Sequence, residues 1–255
     1  MFDWLQLGVL NGVALPAPWM WAALVIGVAV VIPYLLGSIN SAVLISRLFY
    51  GADIRTQGSG NGGLTNMHRV YGGKAALLVL LGDVLKVALS LLIVGIFFGM
   101  RYGMLADAIT GEAIAGNGFA STFAAQPLLY VAGTVAILGH IFPVYFGFKG
   151  GKGVLCTAAL VLIVSPIVFL TLFLIFLLLL AVTHYVSLSS MTVGLLYPFL
   201  LNRIPMILCG GSFGGIVPLL AIFIGLLILY CHRGNIVRLK EKRENKFYFR
   251  KSKKQ

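Results

Sequence analysis

Long apolar runs constrain this chain more than any other feature. They recur from Trp19 to Cys231, and 60% of the 255 residues are hydrophobic while only 10% are charged. A soluble domain has about 25% charged residues and could not cover so many apolar runs in one small core. A bilayer covers them directly, provided that each run is helical and satisfies its own backbone polar groups. The sequence therefore predicts an all-α, polytopic integral membrane protein.

The breaks between the runs predict seven transmembrane helices. Two of them come from a single run that is divided at Ser165-Pro166, because proline breaks or kinks a helix. Merging these two and dropping one weak helix would leave five spans with the same orientation. The predicted spans are 19–48, 74–100, 127–146, 154–165, 166–183, 188–201 and 213–231.

The distribution of positive charge predicts the orientation of the helices. Sixteen of the 19 lysines and arginines fall in segments 46–74, 147–153 and 232–255, which the predicted spans place on one side. Short cytoplasmic loops carry an excess of such residues, so we expect the N-terminus outside and the C-terminus in the cytoplasm. We expect an N-terminal interfacial segment at 1–18, one transmembrane catalytic domain at 19–231 and a basic cytoplasmic tail at 232–255.

The first cytoplasmic loop is rich in glycine and hydrogen-bond donors. Glycines free the backbone to present successive N–H groups, and such nests bind anions. A guanidinium at Arg69 adds a planar donor suited to phosphate. The loop indicates an anion site, with a merely flexible loop as the alternative. The candidate residues are Gly58, Ser59, Gly60, Asn61, Gly62, Thr65, Asn66 and Arg69.

The second cytoplasmic loop places Lys149 and Lys152 on either side of Gly150-Gly151. It is not a Walker A loop, because Gly153 follows Lys152 where that motif has serine or threonine. The alternative is a pair of membrane anchors, but anchors do not need flexible backbone. We interpret the loop as a second phosphate site.

Three other segments carry polar groups close to the membrane. Asp83 and Lys86 are three residues apart in the second span, so they share a helix face and can form a supporting ion pair. Ser187 either caps a helix or lines a pocket. His232 and Asn235 share a face if the last helix continues into the tail. The sequence contains no metal-binding constellation, and we predict no metal.

Together and in this order, the segments resemble the bacterial acyl-phosphate–glycerol-3-phosphate acyltransferases. The resemblance covers about Gly37 to Asn245, and the chain departs from the family pattern at Asn40, Gly62, Leu64 and Lys242-Arg243. The segments that carry it are Gly37-Ser38-Ile39, Asp53-Ile54-Arg55, Gly58 to Asn61, Thr65-Asn66, Arg69, Asp83 to Lys86, Gly139-His140, Phe142-Pro143-Val144, Phe148 to Gly153, Tyr185 to Leu188 and His232 to Ile236.

The resemblance implies transfer of an acyl group from acyl-phosphate to the sn-1 hydroxyl of glycerol-3-phosphate, giving lysophosphatidic acid for phospholipid biosynthesis. It implies seven helices in the bacterial inner membrane, a site at the cytoplasmic face and no cofactor. Expected partners are the two substrates and membrane lipid, with no nucleic acid and a monomeric enzyme. The alternative function is a transporter of a phosphorylated metabolite.

Because both implied substrates carry phosphate, we assign roles to individual residues as a hypothesis. The catalytic candidates are Ser59, Arg69, Lys149, Lys152, Ser187, His232 and Asn235. The candidates for phosphate binding are Gly58, Gly60, Asn61, Gly62, Thr65, Asn66, Gly150 and Gly151. The supporting residues are Asp83, Lys86, His140 and Glu244. Either His232 or an oxygen of the substrate phosphate would accept the proton of the attacking hydroxyl.

Overall fold

Helices account for all regular secondary structure in the described part of the chain. The structure is a computed structural model that describes residues 18–98, 127–209 and 214–247, so the predicted interfacial segment lies almost entirely outside it. The helices are α1 (Pro18–Ile26), α2 (Ile32–Gly37), α3 (Ser41–Tyr50), α4 (Leu64–Tyr71), α5 (Gly73–Phe98), α6 (Pro127–Ile141), α7 (Val154–Val164), α8 (Pro166–Thr183), α9 (Val186–Cys209), α10 (Val217–Cys231) and α11 (Arg233–Lys240). A π-helical turn at Gly27–Val31 joins α1 to α2, and 3₁₀ turns occupy Ile54–Thr56 and Val144–Phe146.

Five stretches of the described residues are long and apolar enough to cross a membrane. They are Ala22–Tyr50, Gly73–Phe97, Pro127–Phe146, Pro166–Thr183 and Val186–Leu208. A sixth results if α10 and α11, which meet at a bend of 53°, are taken as one span. The predicted class of all-α integral membrane protein is confirmed.

The long run at 154–183 divides where the sequence predicted. Helix α7 ends at Val164, Ser165 leaves helical geometry with φ −147°, and Pro166 begins α8. Proline is favoured at this first helical position because no intrahelical bond needs its N–H. The 11 residues of α7 extend only about 16 Å, against about 30 Å for the bilayer core.

Two predicted loops contain helix. The first inner loop was expected to be irregular, but Leu64–Tyr71 forms α4. The segment with Arg203 and Pro205 was also predicted as a loop, whereas α9 continues through it to Cys209. Pro205 removes one helical hydrogen bond, while the apolar residues on both sides of it continue the lipid-facing surface.

A close helix crossing positions the polar residues. A Cβ atom on Gly37 of α2 would lie 2.2 Å from the backbone oxygen of Ala136 in α6. A Cβ atom on Gly139 of α6 would lie 2.4 Å from the oxygen of Tyr34. Only glycines allow backbones this near to each other. The crossing brings the turn after α2 next to the end of α6, where the second glycine-rich loop begins.

Candidate active site

A cavity of about 870 Å³ lies where the two glycine-rich loops meet. Its polar end is built from the α3–α4 connection, the α6–α7 connection, the start of α9 and the tail. Its other end is an apolar arm between α7, α8, α9 and α10. The polar end includes Ser59, Asn61, Thr65, Arg69, Lys152, Ser187, His232, Asn235, Arg238 and Glu244, and the arm includes Val161, Phe169, Leu172, Phe173, Phe176, Leu177, Leu180, Val193, Tyr197 and Ile228.

Glu244 fixes the polar groups of the tail and the α8–α9 junction. Its Oε1 accepts hydrogen bonds from Nδ2 of Asn235 at 2.8 Å and from Oγ of Ser187 at 3.0 Å. Its Oε2 accepts one from Nε of Arg238 at 2.9 Å. Burial alone would raise the pKa of Glu244, but these hydrogen bonds and the Arg238 charge outweigh it and lower the pKa. The carboxylate is therefore held ionised and orients its three donors.

Lys152 projects into the polar end, where its Nζ donates to Oδ1 of Asn235. Burial lowers the pKa of Lys152 to about 8, against the opposing charge of Glu244. Arg69 also lines the cavity and forms no salt bridge with a carboxylate of the described residues. The charges of Arg69 and Lys152 at the polar end are therefore not neutralised by direct ion pairing with a described carboxylate.

Asn66 organises the glycine-rich first loop. Its Nδ2 lies 3.2, 3.0 and 3.1 Å from the backbone oxygens of Ile54, Gln57 and Asn61. Its Oδ1 accepts the backbone N–H of Ser59 at 2.9 Å. The amide of Asn66 is therefore used to shape the loop, and this leaves side chains of the loop rather than the Ser59 amide to meet a phosphate.

The glycines of the second loop allow a close approach of neighbouring groups that a side chain would block. The N–H of Gly150 donates to the oxygen of Ile141, and that of Gly151 to the oxygen of His140, both at 3.1 Å. A Cβ atom on Gly151 would lie 2.1 Å from Nε2 of His140 and 2.9 Å from the oxygen of Gly62. Gly62 and Gly151 thus let the two loops touch through their backbones, and the Gly150 and Gly151 amides are already bonded to the protein.

Arg55 ties the two loops together. Its Nη1 donates to the backbone oxygens of Phe146 at 2.7 Å and Lys149 at 2.8 Å, while its other guanidinium nitrogens bind Asp53. The hydrogen bonds from Arg55 hold the pKa of Asp53 well below its usual range. The carbonyl of Lys149 is bonded by Arg55, and its side chain is exposed and does not line the cavity.

The predicted pair of Asp83 and Lys86 forms a buried network with His140. Nζ of Lys86 lies 2.8 Å from Oδ1 of Asp83, 2.8 Å from Nδ1 of His140 and 3.2 Å from the backbone oxygen of Ile39. Ser41 donates to the same Asp83 oxygen at 2.9 Å. Asp83, His140 and Cys156 are near enough to one another to ligate an ion. However, a cation there would have to displace the lysine ammonium, which already occupies the carboxylate and imidazole acceptors.

Comparison with known proteins identifies this architecture. The sequence model of the glycerol-3-phosphate acyltransferase family matches residues 27–242. This chain belongs to that family. The curated glycerol-3-phosphate acyltransferase of Bacillus subtilis is 35% identical, over 88% of this chain and 98% of the relative. That of Geobacillus kaustophilus is 39% identical, over 84% of this chain and 91% of the relative.

Solved structures agree with the family assignment. The glycerol 3-phosphate form of PlsY (YgiH), an integral membrane glycerol 3-phosphate acyltransferase, matches with a TM-score of 0.67 at 36% identity, covering 88% of this chain and 96% of PlsY. Its lysophosphatidic acid form matches with a TM-score of 0.64 at 34% identity, covering 88% of this chain and 95% of PlsY. The predicted family and the enzyme class, an acyltransferase of phospholipid synthesis, are therefore confirmed over the transporter alternative.

The acyltransferase fold gathers most of the predicted site residues around one cavity. Those that line it are Ser59, Gly60, Asn61, Thr65, Asn66, Arg69, Asp83, His140, Lys152, Ser187, His232, Asn235 and Glu244. Those that do not line it are Gly58, Gly62, Lys86, Lys149, Gly150 and Gly151. Gly58 has φ +59°, in the left-handed region that favours glycine, and a Cβ there would lie 2.3 Å from Oδ1 of Asn66.

Sequence reasoning missed several lining residues of the acyltransferase. His68 and Phe247 line the mouth, and no motif distinguished them. Arg55 was noted only as part of a motif, although it joins the two loops. The apolar arm was missed because its residues look like any lipid-facing helix. A possible signal for it was the unbroken apolar surface of α8.

Proposed function

We propose that the acyltransferase moves an acyl group from acyl-phosphate to the sn-1 hydroxyl of glycerol-3-phosphate within the cavity. The observation that carries this proposal is the continuity of a cationic polar end with an apolar arm in one space of about 870 Å³. An acyl-phosphate has the same two parts, a dianionic head and a hydrocarbon chain. Glycerol-3-phosphate brings a second phosphate and needs only the polar end.

Arg69 and Lys152 are the proposed phosphate-binding cations. Arg69 offers a planar pair of donors, and Lys152 offers a point charge that Asn235 holds in place. The hydroxyls of Ser59, Thr65 and Ser187, with the amide of Asn61, complete the proposed phosphate contacts. We propose no direct contact for Lys149, because its side chain is exposed outside the cavity.

The acyl chain occupies the apolar arm in this proposal. Phe173 and Leu177 of α8 line the arm and keep 43% and 36% of their surface exposed. Helix α8 lies at the outside of the bundle, since only 17% of its apolar stretch is buried inside the protein. The arm therefore borders the lipid. A chain attached to a phosphate at Lys152 could therefore extend between helices towards the bilayer interior.

The reaction needs positioning and electrostatics more than covalent catalysis, because acyl-phosphate is already activated. The sn-1 oxygen attacks the acyl carbon, the bond from that carbon to the phosphate oxygen breaks, and inorganic phosphate leaves. The hydroxyl proton passes to Nε2 of His232 or to an oxygen of the phosphate. Nδ1 of His232 lies 2.8 Å from the backbone oxygen of Ile228, which can only accept a hydrogen bond. In neutral His232, Nε2 is therefore the acceptor nitrogen.

A His232→Gln variant separates the two proton acceptors. Glutamine can keep a hydrogen bond but cannot act as a base at neutral pH. Near-normal turnover with glycerol-3-phosphate would exclude His232 as the base and favour the substrate phosphate. A loss of about 100-fold or more in kcat, the range for removal of a general base, would favour His232.

The membrane arrangement is a further part of the proposal. We propose seven spans with the N-terminus outside and the site at the cytoplasmic face of a bacterial inner membrane. Helix α7 starts beside Lys152 and α8 returns to Ser187, so both ends of this pair meet the cavity. Because α7 has only 11 residues, its crossing in this proposal requires local thinning of the bilayer. A cysteine in place of Ser252 should react with a membrane-impermeant maleimide only after spheroplasts are opened.

The proposed domain division follows the same arrangement. Residues 1–18 would lie at the membrane surface, 19–231 would form the transmembrane catalytic unit and 232–255 the basic tail. Residues of this tail, including His232, Asn235 and Glu244, line the cavity, so the proposed tail belongs to the active site. We propose that the enzyme acts as a monomer, because one chain supplies both the cationic end and the apolar arm that the reaction needs.

Purified protein with palmitoyl-phosphate tests the function directly. We expect lysophosphatidic acid with glycerol-3-phosphate as acceptor, and little product with glycerol, which lacks the phosphate for the second cationic contact. Equal rates with both acceptors would contradict the two-phosphate site. Transport of glycerol-3-phosphate into proteoliposomes without acyl transfer would contradict the enzymatic proposal altogether.

A further inference from the structure

Two aromatic rings meet at the mouth of the cavity and have no part in the proposed transfer. The ring centroids of His68 and Phe247 are 5.5 Å apart, with their planes tilted by 52°. Both residues line the cavity; His68 is exposed at the rim and Phe247 is half-buried. We call this pair the aromatic clasp. It joins α4 to the tail, which approach the cavity from different sides.

Both sides of the aromatic clasp are anchored. On the tail side, the N–H of Phe247 donates to the backbone oxygen of His184 at 2.7 Å. Three residues earlier, the side chain of Glu244 is held by its three hydrogen bonds. On the other side, His68 belongs to α4, whose Met67 is fully buried. Because both parts are fixed, the rings form a defined wall of the mouth.

Water is the competing acceptor in the proposed reaction. If water attacks the acyl carbon, its oxygen bonds to that carbon, the carbon–phosphate oxygen bond breaks, and fatty acid and phosphate result. The proton released passes to phosphate or solvent, so the step requires no other reactant. Water is far more concentrated than glycerol-3-phosphate, and enzymes with activated substrates limit such side reactions by excluding water.

We propose that the aromatic clasp excludes water from the acyl carbon and thereby makes the enzyme select glycerol-3-phosphate over water as acceptor. The inference rests on the proposed function. The rings line the cavity beside Arg69, the residue that follows His68 in α4, whereas the apolar arm is bordered by helices and lipid. Removing either ring opens a path for water that leaves the phosphate-binding cations in place.

The test is the partition of palmitoyl-phosphate between fatty acid and lysophosphatidic acid. In Phe247→Ala we expect the ratio of hydrolysis to transfer to rise at least about fivefold. In Phe247→Leu, which keeps apolar bulk, the ratio should rise less. In His68→Ala the ratio should also rise. The double variant should show little more than the larger single effect, because the two rings act as one barrier. Phe49→Ala is the matched control, since Phe49 is 69% exposed on α3 and does not line the cavity.

The spontaneous hydrolysis of palmitoyl-phosphate is measured without enzyme and subtracted. The corrected ratio comes from active molecules only, so partial misfolding of a variant does not change it. Ratios within twofold of wild type in both Phe247→Ala and His68→Ala would overturn the clasp, and so would an equal rise in Phe49→Ala. A wild-type enzyme that forms no lysophosphatidic acid would instead contradict the proposed function. The two failures are therefore distinguishable in one assay.

Discussion

Replacing Gly151 with alanine tests whether the glycines of the second loop provide space or a phosphate nest. The new methyl group would lie 2.1 Å from Nε2 of His140, 2.7 Å from its Cε1 and 2.9 Å from the backbone oxygen of Gly62. These separations are far inside van der Waals contact. The backbone of Gly62 is held by the loop around it, so we expect the His140 ring to move.

The magnitude follows from what His140 touches. Forcing a methyl group into a packed site costs about 1–3 kcal/mol. If the ring rotates, the Lys86 ammonium loses its 2.8 Å contact with Nδ1, and an unsatisfied buried donor costs about 1–3 kcal/mol more. The sum of about 2–6 kcal/mol corresponds to a melting temperature lowered by roughly 5–20 °C in a chain of this size.

Thermal unfolding in detergent micelles measures the effect. Gly73→Ala is the matched control, because a Cβ there has nothing within 4 Å and alanine favours a helix. A His140→Ala/Gly151→Ala double variant should be less destabilised than the two single changes added together. A Gly151→Ala protein with a wild-type melting temperature would refute the steric argument. If its phosphate affinity were lowered at the same time, the nest would be the better explanation.

Three further changes test the polar end. Arg69→Ala should lower kcat/KM about 100-fold, since a bidentate charge-assisted contact is worth about 3 kcal/mol. The control Lys149→Ala, which removes an exposed charge, should change kcat/KM less than about threefold. In the wild type, kcat/KM should fall as pH rises through about 8, where Lys152 loses its proton and charge; Lys152→Arg should move that fall to higher pH. Glu244→Gln should lower both the melting temperature and kcat/KM, because its amide N–H would face a donor that now bonds the Glu244 carboxylate. Glu241→Gln, at an exposed position, should change neither.

Local chemistry allowed parts of the fold to be predicted. The break at Ser165-Pro166 follows from the missing N–H of proline. The pairing of Asp83 with Lys86 follows from helical spacing and from the cost of charge in a membrane. The order of the loop motifs predicted the family. In each case a few neighbouring residues contain all the information that the prediction needs.

Long-range contacts set the limits of that prediction. The sequence predicted that Gly62 and Gly151 form a phosphate-binding nest. In the structure they allow close contact between two loops that are far apart in the sequence. Asn66 looked like a phosphate donor, but its amide is used by the loop backbone. Lys149 and Lys152 look equivalent in the sequence. The structure separates them, because Lys152 bonds Asn235 inside the cavity while the Lys149 side chain is exposed outside it. The Gly62 partner of Gly151 and the partner of the Lys149 carbonyl lie far away in the sequence, whereas the backbone groups that bond Asn66 lie 5 to 12 residues away in its own loop.

The apolar arm beside α8 has a consequence for how the enzyme meets its donor. An acyl-phosphate whose chain already lies in the bilayer can reach the arm by diffusing within the membrane plane. The effective concentration of the donor is then its mole fraction among the lipids, and its encounter with the enzyme is two-dimensional. Diluting the donor with inert phospholipid should slow turnover even when the amount per litre is constant. The acceptor, which comes from water, should obey ordinary bulk concentration.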